Sequence, residues 1–232
     1  MVKTPPQQSL SIPPLESGDR LTRHEFERRY NGMLQLRKAE LIEGVVYYMA
    51  AALRFRSHGQ PHGFLVTWLG VYGSSTVGVE LGIEPSVRLD LDNEPQPDAV
   101  LLIEAAAGGR SHLSVDDYVE GAPELVAEIA ASSAAIDLGD KKRAYRRNGI
   151  QEYIVWQVFD QKLDWFYLQD GEYLSLPMDA DGIIRSRVFP GLWLAVDHLL
   201  SGNMTQVLAV VQMGLAAPDH AQFVQQLSDA AG

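Results

Sequence analysis

The sequence predicts an α/β or α+β domain, with a mixed β-sheet and helices packed on its faces. Three observations carry this. Apolar runs of strand length, Ala99–Ile103 and Leu125–Ala130, are bounded by turn residues. Residues 62–72 carry Phe64, Leu65, Trp68, Leu69 and Tyr72 at helical spacing. Residues 153–176 alternate like a strand meander, with Asp170-Gly171 as a hairpin turn. The chain has 232 residues, 46% hydrophobic and 21% charged, which sustains one sizeable core.

The elements follow in order. Residues 1–19 are Pro- and Ser-rich and read as a flexible arm, residues 20–200 as the main domain and 201–232 as a helical extension. Thr22 caps a short helix, with Glu25 completing a capping box and Asn31-Gly32 stopping it. Residues 40–49 form two short strands or one strand bent at Gly44. After the helix at 62–72, residues 79–91 read as one strand, 98–103 as the next and 108–117 as loop. Leu125–Ala130 is a buried strand. Asp137 is the expected N-cap of a helix ending at Asn148-Gly149. The meander, helices at 192–200 and 204–215, and a terminal helix ending near 223–227 complete the chain.

Composition excludes some chemistries. With no cysteine there are no disulfides, thiolate metal sites or cysteine nucleophiles, which fits a reducing, cytoplasmic setting. No apolar run reaches the roughly 18 residues needed to span a bilayer, and a secretory signal is not expected at the N-terminus. The net charge of −11 opposes tight non-specific nucleic-acid binding. Lys141, Lys142, Arg143, Arg146 and Arg147 are nevertheless clustered, and read as a local basic patch or as a solvated helix face.

The chemistry centres on Asp98, Glu128 and Lys141. Magnesium prefers hard oxygen ligands. Two strand-borne carboxylates, Asp98 and Glu128, with the Ile129 carbonyl as a third ligand, could hold such an ion. The ion would polarise a phosphate, and Lys141 would orient the water or offset charge on the phosphate. Glu128 interrupts an apolar run, where an acid needs a partner or a metal; Arg143 is an alternative partner. Pro97-Asp98 taken alone also suits a plain strand entrance. Lys141 stands in the expected first turn of its helix, where the macrodipole disfavours a cation. Tyr145, one turn on, either contacts substrate or packs. His58 and His62 have metal-like spacing, but Pro61 between them argues against helical geometry, so a phosphate contact near the helix start is preferred to zinc. No Gly-rich phosphate loop, nucleophile elbow or dinucleotide fingerprint is present.

Five segments then carry a resemblance. They are residues 39–46 (AELIEGVV), 96–100 (QPDAV), 123–130 (PELVAEIA), 137–141 (DLGDK) and 145–153 (YRRNGIQEY). In content, order and spacing the chain resembles the Uma-type family of restriction-endonuclease-like proteins, in the PD-(D/E)XK nuclease superfamily, from about Leu21 to Leu200. The resemblance implies a restriction-endonuclease-like fold and a Mg²⁺- or Mn²⁺-dependent endodeoxyribonuclease. It carries Asp98 over as the motif aspartate, Glu128 as the second acid and Glu40 as the upstream acid, with Glu43 the alternative. The superfamily's usual lysine position is Ala130 here. In the family that the chain resembles, the lysine is displaced onto the following helix, which points to Lys141, with Lys142 as competitor. Tyr145, Arg146 and His62 are the expected substrate contacts, DNA the expected partner, and a homodimer the expected assembly. Two other readings compete: a catalytically silent nucleic-acid-binding protein, and an interaction protein dimerising through Val207, Leu208, Val211 and Leu215.

Overall fold

A computed structural model of the chain describes residues 12–48 and 54–232. The first elements are helix α1 (Arg23–Tyr30) and hairpin β1 (Glu40–Ile42) and β2 (Val45–Tyr47), turned by Glu43 and Gly44, both at positive φ. Helix α2 (Gln60–Ser74) follows a π-helical turn, Phe55–Gly59. Then come β3 (Val79–Ile83), β4 (Val87–Arg88), β5 (Ala99–Ile103), β6 (Ser111–Leu113), β7 (Val119–Gly121) and β8 (Leu125–Ala130). A helical segment comprises α3 (Ala134–Ile136), a π-helical turn (Asp137–Lys141) and α4 (Lys142–Arg147). Strands β9 (Glu152–Gln157), β10 (Lys162–Gln169), β11 (Glu172–Ser175), β12 (Ile183–Arg185) and β13 (Trp193–Ala195) precede α5 (Val196–Leu200), α6 (Met204–Leu215) and α7 (Pro218–Ala231).

The central sheet is mixed, in the order β11-β10-β9-β8-β5-β3. Only β8 and β9 run parallel, and the segment 134–147 is their crossover. Both strands are buried at all six positions, as central strands covered on two faces should be. Period-two alternation splits β8 between the faces. Leu125, Ala127 and Ile129 join the larger core with α2, α6 and α7, whereas Val126 and Ala130 join a smaller one with Tyr145 and Tyr153. Glu128 therefore belongs to the second face, beneath the crossover. Edge-to-face packing of Trp68 on Trp165, at 5.6 Å, anchors α2 to the sheet, and Trp68 Nε1 donates to Trp193 O at 3.0 Å. A third cluster joins α1 to the β1–β2 hairpin, with Leu15, Phe26 and Leu41 buried.

Several sequence expectations change. Thr22 precedes α1 without a side-chain cap bond, and Glu25 pairs with Arg28 and Arg29 instead. The single strand expected at 79–91 is broken, because Glu84 takes φ 50° and Pro85 follows. The loop expected at 108–117 contains β6, and residues 193–195 of the expected helix are strand β13. Asp137 is not an N-cap. The helical path starts at Ala134, so Asp137 and Lys141 lie in its wider middle turn. Lys141 is thus outside the first turn, and the macrodipole argument does not apply to it.

Described residues on both flanks of the domain are packed as well. Of the expected arm, residues 1–11 lie outside the described residues, while Leu15 is 1% exposed and Gly18 N donates to Val46 O. Val207 and Val211 of α6 are fully buried against the sheet's larger core, so that half of the candidate dimer stripe faces inward. Gly214 is where α6 meets the loop before β13: a Cβ there would collide with the Gly191 carbonyl oxygen. Gly214→Ala is expected to destabilise the whole domain by about 1–3 kcal/mol through overpacking. Calorimetry should show one transition at lower temperature; an unchanged midpoint would mean that α6 is not integral to the core. No helix among the described residues is long and apolar enough to cross a membrane.

Candidate active site

Antiparallel pairing of β5 with β8 matches Ala99 with Ala127. One step further along that register sets Asp98 opposite Glu128, on the same face. Asp98 Oδ2 accepts a 2.7 Å bond from Ile129 N, filling the place of a ladder bond where β5 begins. The carbonyls of Glu124 and Ala130 point to β9, accepting from Glu152 N and Val158 N. By alternation, the Ile129 carbonyl points the other way, to the Asp98 side.

Strand β1 brings the third acid. Leu41 bridges to Glu94, which lays β1 beside the segment leading into Asp98. Glu40 Oε1 accepts from Gln96 N at 2.8 Å and meets Lys141 Nζ at 2.8 Å. The competing acid, Glu43, pairs with Arg147 instead.

The π-helical turn brings Lys141 down onto this face. Its Nζ lies 3.0 Å from Glu128 Oε1 and 3.6 Å from Asp137 Oδ1. Tyr145 Oη donates to the same Glu128 Oε1 at 2.8 Å. Both bonds fall on Oε1, which leaves Oε2 the oxygen available to an ion. Arg143, the alternative partner for Glu128, pairs with Asp140. Lys142, the alternative lysine, lies over the Phe166 ring at 3.4 Å from its centroid. Sequence spacing alone had no means of separating the two lysines. A widened turn shifts which residue faces inward, and only its placement decides the matter.

Burial and charge set the electrostatics. Asp98, Glu128 and Lys141 are each under 5% exposed. Burial pushes Glu128 up to about 8; Lys141 opposes the rise, while Asp137, Asp98 and Glu40 add to it. Burial also disfavours the Lys141 ammonium, but Glu128, Glu40 and Asp137 outweigh it and hold the amine well above its ordinary value. The two directions are compatible, because Glu40 and Asp137 also face the ammonium and hold it while Glu128 keeps its proton.

The structure adds residues that the sequence reading did not select. Lys38 Nζ stands 3.5 Å from Asp98 Oδ1 and is partly open to solvent. Its signal was available: it sits two residues before Glu40 and shares its face if the chain is extended. Asp137 is buried, with Oδ2 bonded to Ser133 Oγ. His62 Nε2 lies 2.9 Å from the Asp98 carbonyl, so that nitrogen is occupied by backbone.

Arg146 is not brought to the site; it binds Gly171 O and Glu172. The basic run as a whole is consumed locally, with Arg143 on Asp140, Arg146 on Glu172 and Arg147 on Glu43. It is a paired helix face, not an open cationic patch.

The acids offer hard oxygen donors, the donor type that a divalent cation such as Mg²⁺ prefers. Four carboxylates, Asp98, Glu128, Asp137 and Glu40, face two ammoniums, Lys38 and Lys141, leaving an excess of negative charge in a nearly closed site.

A model of the family Uma2, described as "Putative restriction endonuclease", matches residues 23–197. A solved structure described as a putative nuclease belonging to DUF820, from Anabaena variabilis ATCC 29413, is similar in fold. It is 15% identical, with 74% of this chain and 96% of that chain covered at a TM-score of 0.57. At that identity the likeness shows a shared fold. No curated protein matches the chain.

Proposed function

The chain belongs to the Uma2 family, described as putative restriction endonucleases, and from that membership we propose that it is a Mg²⁺- or Mn²⁺-dependent endonuclease hydrolysing phosphodiester bonds of DNA. The observation that carries the reading is the convergence of Asp98, Glu128, Glu40 and Lys141 on one buried face with a surplus of carboxylate.

Asp98, Glu128 Oε2 and the Ile129 carbonyl would hold the ion. When bound, it supplies Lewis acidity toward the scissile phosphate and lowers the pKa of an attacking water. The chain's own groups do the remaining work. Ile129 N fixes the Asp98 carboxylate by bonding Oδ2. Tyr145 Oη and Lys141 Nζ fix Glu128 through Oε1. Lys141 keeps its proton under three carboxylates, so its role is to orient the nucleophile and offset charge developing on the phosphate, not to act as base. Glu40 holds Lys141 in place and is itself held by Gln96 N. Lys38, at the solvent edge, offers a second cation to an incoming phosphate.

The test is cleavage of plasmid and single-stranded DNA with Mg²⁺ or Mn²⁺, comparing the wild type with Asp98→Ala. Cleavage should require metal and fall at least about 100-fold in the variant. A wild type that binds metal but cuts neither substrate would replace this reading with a silent binding role on the same fold.

A further inference from the structure

We propose that His58, His62 and Glu84 form a separate site for a divalent transition-metal ion of the zinc class, which organises the backbone around Asp98. One ligand atom of each residue lies within 4.8 Å of the others. Tetrahedral zinc at bond lengths of about 2.0–2.1 Å needs ligand atoms about 3.4 Å apart, so small side-chain rotations close the set.

The three residues come from two segments. Pro61 does not break the helical path, because it directly follows the wider π-helical turn, which accommodates its ring and missing N–H. The π-helical turn before it keeps the path continuous and brings His58 and His62 onto one side, ring centroids 5.6 Å apart. Glu84 arrives from the break between β3 and β4, at φ 50°, a conformation that a glutamate adopts only when its surroundings enforce it. Its backbone is tied at both ends: Glu84 N donates to Asp98 O at 3.2 Å, and Gln96 Nε2 donates to Glu84 O at 3.0 Å.

The His62 imidazole is oriented as metal ligands generally are, with its second nitrogen anchored by a hydrogen bond. His62 Nε2 faces the Asp98 carbonyl at 2.9 Å, and a carbonyl only accepts; Nε2 therefore carries the proton and Nδ1 the lone pair. His58 Nε2 faces Asp98 Oδ1 at 3.7 Å. Two imidazoles and one carboxylate suit zinc, nickel or copper rather than magnesium, and leave a fourth position open. An ion here would clamp the start of α2 to the β3–β4 break. His62 and Glu84 both bond to one carbonyl, Asp98 O, so the clamp fixes the residue that the Proposed function places at the catalytic ion. The site itself does not depend on that function.

The experiment titrates metal-free full-length protein with ZnCl₂ alone, by calorimetry and by long-range ¹H–¹⁵N spectra of the imidazoles. Wild type and Glu128→Gln should both bind one zinc that excess Mg²⁺ does not displace, and two of the six histidines should shift. The His58→Ala/His62→Ala double variant should lose that binding. Glu84→Gln, a change at an exposed side chain that does not endanger folding, should weaken it at least tenfold. Zinc binding that survives both His58/His62 and Glu84 changes, or that disappears in Glu128→Gln, would overturn the site. The latter would place the ion among the carboxylates, with the nuclease reading untouched.

Discussion

Lys141→Ala is expected to remove metal-dependent cleavage, by at least about 100-fold, and to destabilise the fold. The amine is 4% exposed and meets Glu40 at 2.8 Å, Glu128 at 3.0 Å and Asp137 at 3.6 Å. Truncation leaves these carboxylates buried without their shared counter-ion. Breaking a buried pair in this way costs about 3–5 kcal/mol, which for a domain of this size lowers the midpoint by about 2–4 °C per kcal/mol. Cleavage must therefore be compared well below the variant's own midpoint. Lys142→Ala is the matched control, since its amine lies over Phe166 and touches none of the acids. It should leave the rate unchanged. Should Lys141→Ala cut DNA as fast as the wild type while folded, Lys141 would be a structural counter-ion only.

Glu128→Gln is expected to abolish cleavage yet stabilise the metal-free protein at alkaline pH. Burial raises Glu128 from its ordinary 4.5 to about 8, with Lys141 opposing and the neighbouring acids reinforcing the rise. Between those values the folded state binds more protons than the unfolded one. Stability from this group is therefore greatest below 4.5, declines as pH rises through the window and is flat above about 8. The decline is at most about 1.4 kcal/mol per pH unit. Glutamine keeps an oxygen for Lys141 and Tyr145 but carries no charge. The variant should lose this pH dependence and unfold at a higher temperature than wild type above pH 8 in EDTA. Mg²⁺ or Mn²⁺ should stabilise wild type more than the variant, because only wild type relieves a buried charge by binding the ion. Thermal unfolding from pH 5 to 9 with and without metal checks this. A variant with the wild-type pH profile would assign the titration to another group, such as Asp137.

The carboxylates were legible in the sequence because burial makes them conspicuous. Glu128 stands inside an apolar run, and Asp98 opens one. An acid at such a position requires a partner, whatever the fold around it. The long strands and α6 were legible for a related reason: periodicity is local. Breaks in periodicity were harder to read. Residues 79–91 alternate adequately as one strand, yet Glu84 turns through positive φ because its backbone is bonded to Asp98 and Gln96. The π-helical turn at 137–141 likewise has no pattern that distinguishes it from an α-helix starting at Asp137. Lys38 was overlooked because its significance depends on β1 lying beside Asp98, a pairing of distant segments.

Local patterning, by itself, determined the mixed sheet with flanking helices, the two central acids and the exclusion of thiol chemistry. These depend only on which residues can be buried and at what period. The tertiary structure decided what depends on register and helical phase. The β5–β8 register set Asp98 opposite Glu128, and the widened turn gave the inward position to Lys141 over Lys142. The same level of structure spent the basic run on local acids and brought His58, His62 and Glu84 together. Each of these outcomes joins segments far apart in the chain, where a shift of one residue would reverse which side chain faces inward, and short-range periodicity carries no record of that choice.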